Sequence, residues 1–196
     1  MARYRGPKLK IIRRLGKLPG LSQKISHKKN PPGQHGRKIK KPSQYAIRLM
    51  EKQKLRFHYG LGERQLFNYL KKARKNIRPT TEVLVELLEM RLDNIIFRLG
   101  ISPTINAAKQ LISHCHIYIN NKKISISSYQ CQINDKITIK GKPNSNLFNA
   151  IEENNLPSFV QFDKTQKLFT IQNKIERADI ILELNELLVV EYYSKN

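Results

Sequence analysis

Residues 91–126 constrain the fold of this chain more than any other stretch, because their apolar pattern changes period partway along. The first part has the i, i+3, i+4, i+7 spacing of one helix face, carried by Leu92, Ile95, Ile96 and Leu99. Gly100 stands where a helix ends in the left-handed conformation, so we expect the first helix to stop there. Ser102 and Pro103 have the character of an N-cap and a first-turn proline, which predicts that a second helix starts at once.

The second helix gives way to a β-hairpin. Its predicted apolar face comprises Ala107, Ala108, Leu111 and Ile112. The period then becomes two over residues 117–119, which predicts a strand. Asn120 and Asn121 suit a tight turn, since Asn tolerates positive φ. A second strand is expected over residues 122–126, where isoleucine again occupies alternate positions.

This unit of two helices and a hairpin resembles the αL motif, an RNA-binding domain named after the ribosomal protein numbered four of the small subunit. The matching residues are Arg91-Leu92-Asp93-Asn94, Arg98-Leu99-Gly100, Ala108-Lys109-Gln110-Leu111, His114, His116-Ile117 and Ile119-Asn120. Three further stretches are similar to the same family, particularly to its plastid-encoded members: residues 2–21, 51–70 and 185–194. The resemblance therefore covers nearly the whole chain.

Two turn positions depart from the family pattern. Cys115 stands where the family often has Gly, and Asn121 stands where Gly often follows the hairpin Asn. A left-handed backbone at Cys115 is strained because its Cβ is crowded, a strain that Gly avoids. Asn121 is the milder change, because Asn visits that conformation readily. Both departures concern the local backbone rather than the motif.

Positive charge is concentrated in the N-terminal part of the chain. The first eighty residues hold 24 Lys and Arg residues against 2 acidic residues, whereas the remaining 116 hold 13 of each. Such a density repels itself unless counter-charge is supplied, and binding phosphate adds the free energy of counterion release. An anionic membrane would call for a basic amphipathic helix, but residues 1–43 intersperse glycines and prolines among the charges. The pattern therefore favours nucleic acid.

Other kinds of site find little support in the sequence. Residues 1–43 contain no Cys, so the zinc-binding cysteine cluster of some bacterial relatives cannot exist there in that form. His27 and His35, the candidate nitrogen ligands of this segment, fit RNA-contacting or solvated roles better than metal binding. No Gly-rich phosphate loop or catalytic triad with a recognisable context is present, so we expect no enzyme, no metal and no cofactor. A disulfide between Cys115 and Cys131 is not expected in a reducing compartment.

The composition breaks predict an α+β fold in three parts. Residues 1–43 form a basic arm, extended and partly helical, which orders on RNA. Residues 44–90 form a helical domain on which residues 180–196 pack back. Residues 91–179 form the αL RNA-binding domain, two helices on a small antiparallel sheet, with its C-terminal extension. A helical domain built from both chain ends thus holds the αL domain as an insertion.

The remaining elements are predicted from periodicity and from breaking residues. Helices are expected at 44–60, from Glu63 to Pro79, and from 84 to 99 as one helix or as two with a bend near Arg91. A turn at Asn134-Asp135 leads to a strand at 137–139, a loop at 141–158 and two short strands within 159–171. The last residues fit either a helical turn or a strand packed on the helices of 44–90.

Helical RNA is recognised mainly through its backbone and shape, so the candidate contacts are basic and polar side chains. In the arm they are Arg3, Arg5, Lys8, Lys10, Arg13 and Arg14. In the helical domain they are Arg48, Lys52, Lys54, Arg56, Lys71, Lys72, Arg74 and Lys75. In the αL motif they are Arg91, Arg98, Thr104, Asn106, Lys109, His114, His116, Lys122 and Lys123. The alternative is a solvated role for each Lys or Arg, and a packing role for the two histidines.

Four further side chains have alternative roles. Tyr4, Phe57 and Tyr59 could stack on bases, although Phe57 and Tyr59 fit a core position better. Asp93 is expected to pair with a neighbouring Arg or to favour a helix start, rather than to act as an acid or base.

The resemblance implies a structural constituent of the small ribosomal subunit, a primary rRNA-binding protein that nucleates assembly of the subunit body. It also implies contact with, or proximity to, the small-subunit ribosomal proteins numbered five and twelve, and with them an influence on translational accuracy. We therefore expect a soluble, plastid-encoded protein of the chloroplast ribosome, with rRNA and ribosomal proteins as partners and no membrane. A rescue or heat-shock factor built on the same motif is the alternative, but it does not account for the matches at both termini.

Overall fold

The computed structural model describes residues 4–28, 30–36, 41–139, 156–163, 168–175 and 177–194. Its helices are α1 (Lys8–Leu15), α2 (Gln44–His58), α3 (Glu63–Arg74), α4 (Thr80–Glu89), α5 (Leu92–Arg98), α6 (Ile105–Ser113) and α7 (Glu186–Ser194), with a 3-10 turn at Arg177–Asp179. Its strands are β1 (Ile117–Ile119), β2 (Lys122–Lys123), β3 (Lys136–Ile139), β4 (Val160–Asp163) and β5 (Leu168–Ile171). This combination of helices and a small antiparallel sheet confirms the α+β fold class.

The chain divides into two compact units. We call residues 1–84 with 182–196 the terminal unit, and residues 85–181 the central unit. The domain limits that we placed after residues 43, 90 and 179 remain predictions. Most of the predicted loop at 141–158 lies outside the described residues, which resume at 156.

The terminal unit joins the two ends of the chain. α2 begins after Ser43, whose hydroxyl accepts a hydrogen bond from the Ala46 N–H at 3.2 Å. α7 packs along α2, and Arg48 Nε lies 2.7 Å from a Glu191 carboxylate oxygen. Residues 186–194 are therefore helical rather than a strand.

Residues of the predicted arm are buried in the terminal unit, which the charge pattern of the sequence did not indicate. α1 contacts α2, and the buried apolar side chains in and after α1 are Ile11, Leu15, Leu18 and Leu21. The Gly20 N–H donates to Nδ1 of buried His58 at 3.4 Å. The first three of these apolar residues have the i, i+4, i+7 spacing of a helix face, which the dense charges between them concealed.

The central unit is built around a five-stranded antiparallel sheet in the order β2-β1-β3-β5-β4. Its register pairs Ile119 with Ile137 and Ile137 with Phe169, so apolar side chains line up across three strands. The fully buried members of the core include Leu92, Ile95, Ile96, Ala108, Ile112, Ile117, Ile137, Phe169 and Ile171. The sheet and the helices α5 and α6 thus share one core.

The residues expected to form one helix or two between 84 and 99 form two, α4 and α5. Arg91 separates α4 from α5 in an extended conformation, with φ −74° and ψ 139°, and forms a β-bridge with Gln130. The Leu92 N–H donates to the Tyr129 carbonyl at 2.9 Å, and the Cys131 N–H donates to the Met90 carbonyl at 2.9 Å. These main-chain bonds supply the partners that a continuous helix would otherwise provide.

The predicted turns are found where the sequence placed them. Gly100 ends the first helix of the motif with φ 73°. The hairpin residues Asn120 and Asn121 have φ values of 49° and 64°, as a type I′ turn requires. Cys115 also has a positive φ, 63°, so the strain expected at this departure from the family pattern is present.

Three local predictions were wrong. The helix expected from Glu63 to Pro79 ends at Arg74. The N-cap of α6 is Thr104 rather than Ser102, because the Thr104 hydroxyl accepts the Ala107 N–H at 3.2 Å. The strand after the hairpin turn ends at Lys123. Ile126 is 63% exposed, so the alternating isoleucines of residues 122–126 do not form one buried face of a strand.

Candidate nucleic-acid interface

The four basic residues predicted on α2 are all engaged with carboxylates of the same unit. Lys52 is only 4% exposed, and its Nζ lies 2.8 Å from Glu63 Oε1 and 4.3 Å from the ring centre of Tyr192. Arg56 lies 3.7 Å from Glu63, and the remaining pairs are Arg48 with Glu191 and Lys54 with Glu51. Our expectation that Lys52 is displayed to RNA was wrong, because its charge is held inside the unit.

Glu63 is the centre of this cluster. Burial alone would raise the pKa of its carboxyl, but hydrogen bonds from Lys52 and Tyr193, with the positive charges of Lys52 and Arg56, lower the pKa below its ordinary value. The Tyr193 hydroxyl donates to Glu63, and both burial and this carboxylate raise the pKa of Tyr193. The cluster therefore ties α7 to the start of α3.

The C-terminal end of α3 carries a basic surface. Lys71, Lys72, Arg74 and Lys75 are exposed, while Ala73 between them is buried. Ile77 follows with a fully exposed side chain. Because the buried face of α3 is supplied by Leu66, Leu70 and Ala73, the cations on its other sides are available to phosphate. The four basic candidates chosen here from the sequence are therefore exposed, and their contact with RNA remains a prediction.

The arm candidates differ in their surroundings. Arg5, Lys10 and Arg14 are exposed and Lys8 is half-buried, whereas Arg3 lies outside the described residues. Arg13 donates from Nε to the Asn30 carbonyl at 2.9 Å and from Nη2 to the Pro31 carbonyl at 3.3 Å, so it holds main chain in place. The aromatic candidates make contacts within the protein. Tyr59 is buried, and the ring of Phe57 packs edge to face against the ring of Tyr4, with the ring centres 5.4 Å apart.

In the central unit, Arg91 and Lys109 are buried rather than displayed. Arg91 makes two hydrogen bonds to the Asp93 carboxylate, at 3.0 and 2.6 Å, and is 2% exposed. Lys109, 8% exposed, places Nζ 3.5 Å from the same carboxylate. The pairing of Asp93 with a neighbouring Arg is as expected, whereas Lys109, a candidate RNA contact from the sequence, is buried beside the same acid.

A second pair of buried polar side chains, Asn94 and Glu89, accompanies the cluster of Arg91, Asp93 and Lys109. The Asn94 side-chain amide donates to the Glu89 carboxylate at 2.7 Å and to the Glu89 carbonyl at 3.0 Å. Asn94 and Glu89 are each 1% exposed. Together with the bridge between Arg91 and Gln130, these bonds fix the junction between α4 and α5.

The rest of the αL candidates lie on the surface of α5, α6 and the hairpin. Lys122, Lys123 and His114 are exposed; Arg98, Asn106 and His116 are half-buried. The rings of His114 and His116 lie 6.2 Å apart. Thr104 serves as the α6 N-cap. The exposed cations of this unit that were predicted from sequence are thus the hairpin lysines.

The hairpin is held by residues that the sequence did not single out for this role. Asn120 donates from Nδ2 to Asp135 Oδ1 at 2.8 Å and accepts the Lys136 N–H on Oδ1 at 3.0 Å. Asp135 also accepts the Gln132 N–H at 2.8 Å. The only sequence signal was the pair of Asn-containing turns at 120–121 and 134–135. These contacts hold the turn that precedes Lys122 and Lys123.

No group of three or more His, Cys, Asp or Glu residues in the described part of the chain could hold a metal ion. None of the helices described has the length and apolar character needed to cross a bilayer.

Burial, with repulsion from Asp135 and Asp93, raises the pKa of the Cys131 thiol, so this thiol stays protonated and unreactive at neutral pH.

Exposed lysines and arginines on a helix end and on a hairpin of a mixed helical and sheet fold are typical of the class of nucleic-acid-binding proteins. Comparison with known proteins gives the family. The family model described as "Ribosomal protein S4/S9 N-terminal domain" matches residues 3–89, and the model described as "S4 domain" matches residues 90–137. The chain belongs to the small ribosomal subunit protein uS4 family, whose members are structural, non-enzymatic ribosomal proteins of the small subunit with an S4 RNA-binding domain.

Individual relatives are similar over their full length. Small ribosomal subunit protein uS4 of Nostoc punctiforme is 52% identical, covering 100% of this chain and 99% of that protein. Small ribosomal subunit protein uS4c of Oltmannsiellopsis viridis is 52% identical with 100% of both chains covered, and so is uS4c of Porphyra purpurea. These matches confirm the resemblance identified from residues 2–21, 51–70, 91–120 and 185–194.

Proposed function

We propose that this protein is a primary binder of small-subunit rRNA that nucleates assembly of the subunit body. The observation that carries the proposal is the separation of its cations into two sets. One set is neutralised inside the units, as at Lys52 and Lys109. The other set remains open to solvent on α1, α3 and the hairpin, where it can neutralise phosphates.

The two sets suit a protein that binds RNA before other proteins do. The buried ion pairs fix the positions of the surrounding elements without RNA, so the exposed cations are already arranged when rRNA arrives. The excess positive charge of +22 is not neutralised by any acid of the chain itself. A polyanion is therefore its natural partner, and a protein of this kind needs no earlier assembly factor to supply counter-charge.

Binding to naked rRNA tests this function. The full chain is titrated with small-subunit rRNA, free of other ribosomal proteins, at several salt concentrations. Affinity is expected to fall with a log–log slope of roughly minus five or steeper, because several phosphates are neutralised together. A nearly flat salt dependence, or binding that requires other ribosomal proteins, would contradict the proposal. Stoichiometric retention on small subunits in high salt would separate a core component from a dissociable factor.

We further infer a role beside neighbouring ribosomal proteins. The family resemblance implies contact with, or proximity to, the small-subunit proteins numbered five and twelve, and through them an influence on translational accuracy. Crosslinking on isolated small subunits tests the neighbours, and misreading of a reporter by ribosomes carrying surface variants tests accuracy. Crosslinks that include neither protein would contradict the inferred neighbourhood.

The compartment is inferred to be the plastid. Relatives named uS4c stand beside cyanobacterial uS4 proteins at the same level of identity, which agrees with a plastid-encoded protein of the chloroplast ribosome. Recovery of the chain in ribosomes purified from isolated plastids is the direct test. Recovery only in another ribosome population would contradict it.

A further inference from the structure

The segment after α1 folds back to form an open cavity of about 570 Å³. Gly16 ends α1 with φ 93°, and its N–H donates to the Ile12 carbonyl at 2.9 Å. The chain then turns at Leu18, whose carbonyl accepts the N–H groups of Leu21 and Ser22 at 3.0 and 3.2 Å. The cavity is therefore formed by a single continuous stretch, residues 12–28.

Arg13 holds the returning chain against α1. Its guanidinium donates to the Asn30 carbonyl at 2.9 and 2.7 Å and to the Pro31 carbonyl at 3.3 Å. Ser22 accepts the Lys24 N–H at 3.2 Å, and Ser26 donates to the Lys28 carbonyl at 3.2 Å. These bonds give the returning segment a defined course without any partner present.

The lining of the cavity combines apolar and basic groups. Its apolar side chains are Ile12, Leu18, Pro19 and Ile25, of which Ile25 is 78% exposed. Its basic side chains other than Arg13 are Lys17, Lys24 and Lys28, and all three are exposed. No acidic residue occurs before Glu51 in the sequence, so nothing in this segment neutralises these lysines.

We propose that this cavity receives one unpaired nucleotide base of an RNA strand, with Lys17, Lys24 and Lys28 on the flanking phosphates. The proposal rests on the rRNA-binding function proposed above and names a contact within it. An apolar surface surrounded by cations suits a base, whose flat face is apolar and whose backbone carries a charge on each side. The volume is within the range of small-molecule sites and accommodates a nucleotide. Unpaired bases are also the parts of RNA that proteins recognise by stacking and by hydrogen bonds to the base edges.

Two substitutions separate base binding from charge alone. Ile25→Ala removes apolar surface from the cavity without removing charge, and its exposed position makes an effect on folding small. We expect it to weaken binding of small-subunit rRNA about fivefold or more, because the apolar contact between Ile25 and the base is lost, while the salt slope stays unchanged. Lys24→Ala is expected to reduce the magnitude of that slope by about one.

Leu187→Ala is the matched control, because Leu187 is a 64% exposed apolar residue on α7, outside the cavity. Thermal unfolding of all variants confirms that each is folded. An Ile25→Ala affinity within twofold of both wild type and Leu187→Ala overturns the cavity proposal. If the wild-type chain binds rRNA with a steep salt slope in that same experiment, the proposed function stands, whereas failure of the wild type to bind would overturn the function itself.

Photocrosslinking identifies the occupant directly. The full chain carrying Ile25→benzoylphenylalanine is bound to small-subunit rRNA and irradiated, and the crosslinked nucleotides are mapped by reverse transcription. We expect crosslinks at one unpaired nucleotide or at two adjacent ones. Crosslinks spread over paired regions would show that the cavity takes no defined base. Repeating the experiment on assembled small subunits distinguishes RNA from a protein occupant, and a crosslink mainly to a ribosomal protein would overturn the proposal.

Discussion

Lys109 Nζ lies 3.5 Å from the Asp93 carboxylate, which also accepts both hydrogen bonds from Arg91. One buried acid therefore holds two of the basic residues that the sequence puts forward as RNA contacts. Since an isolated charge at this depth would be costly, the three side chains function as one structural group. They join the junction before α5 to the middle of α6.

Replacing Asp93 with Asn should strongly destabilise the protein. Asp93→Asn leaves the charges of Arg91 and Lys109 buried without the carboxylate, a change that costs about 3–5 kcal/mol. Chemical denaturation measures the loss. Glu183→Gln, at an exposed position, is the control and should remain within about 0.5 kcal/mol of wild type. A cost below about 1 kcal/mol for Asp93→Asn would show that the cluster is not structural.

Replacing the hairpin lysines should affect RNA discrimination rather than stability. Lys122 and Lys123 are exposed on β2, so changing both to Ala should leave the thermal midpoint within a few degrees. Discrimination between cognate rRNA junction and unrelated duplex RNA should fall about tenfold, or 1.4 kcal/mol. Lys109→Ala should instead lower the thermal midpoint, because it disrupts the buried cluster. Equal losses on both RNAs for the hairpin variant would mean that the lysines supply only charge.

The N-terminal segment is predicted to contribute to stability. Leu18 is 1% exposed, and Leu18→Ala should cost about 2–5 kcal/mol in chemical denaturation, as for other buried leucines. Leu9→Ala in the same segment is the matched control, because Leu9 is 39% exposed. Deletion of residues 1–43 should likewise destabilise the terminal unit as well as weaken RNA binding. Retention of full stability after that deletion would show that Leu18 and Leu21 contribute little to the core.

Acidification should remove the contribution of Glu63. Its pKa is lowered in the folded chain, so its stabilisation is fully present above the unfolded value of about 4.3 and is lost as pH falls through the folded value. Because Glu63 is partly exposed, we expect Glu63→Gln to cost only about 1 kcal/mol at neutral pH. Unfolding curves of both proteins should show this difference shrinking below about pH 4. A difference that grows on acidification would contradict this assignment.

The sequence predicted local features better than long-range pairs. Gly100, Asn120 and Asn121 could be placed because a positive φ is a property of the residue and its neighbours. The pairing of Arg91 with Asp93 was also local. The partners of Lys52 and Arg48 could not be foreseen, because Glu63 and Glu191 lie 11 and 143 residues away. A lysine that binds phosphate and one that is buried in an ion pair look alike until the fold is known.

The same limit applies to the N-terminal segment. Its charge indicated an RNA-binding arm, and its apolar residues were too few to suggest a core. Their burial depends on surfaces supplied by later parts of the chain, such as α2, which α1 contacts. The cavity beside α1 depends in turn on the bonds of Arg13 to Asn30 and Pro31, which no periodic pattern signals.

The pairing of α2 with α7 has a consequence for the order in which a newly made chain folds. Arg48 is synthesised 143 residues before Glu191. The central unit, residues 85–181, lies between the two parts of the terminal unit, so α7 can pack on α2 only after every residue of the central unit has been synthesised. A chain truncated before Glu186 would therefore contain the whole central unit but lack the helix that closes the terminal unit.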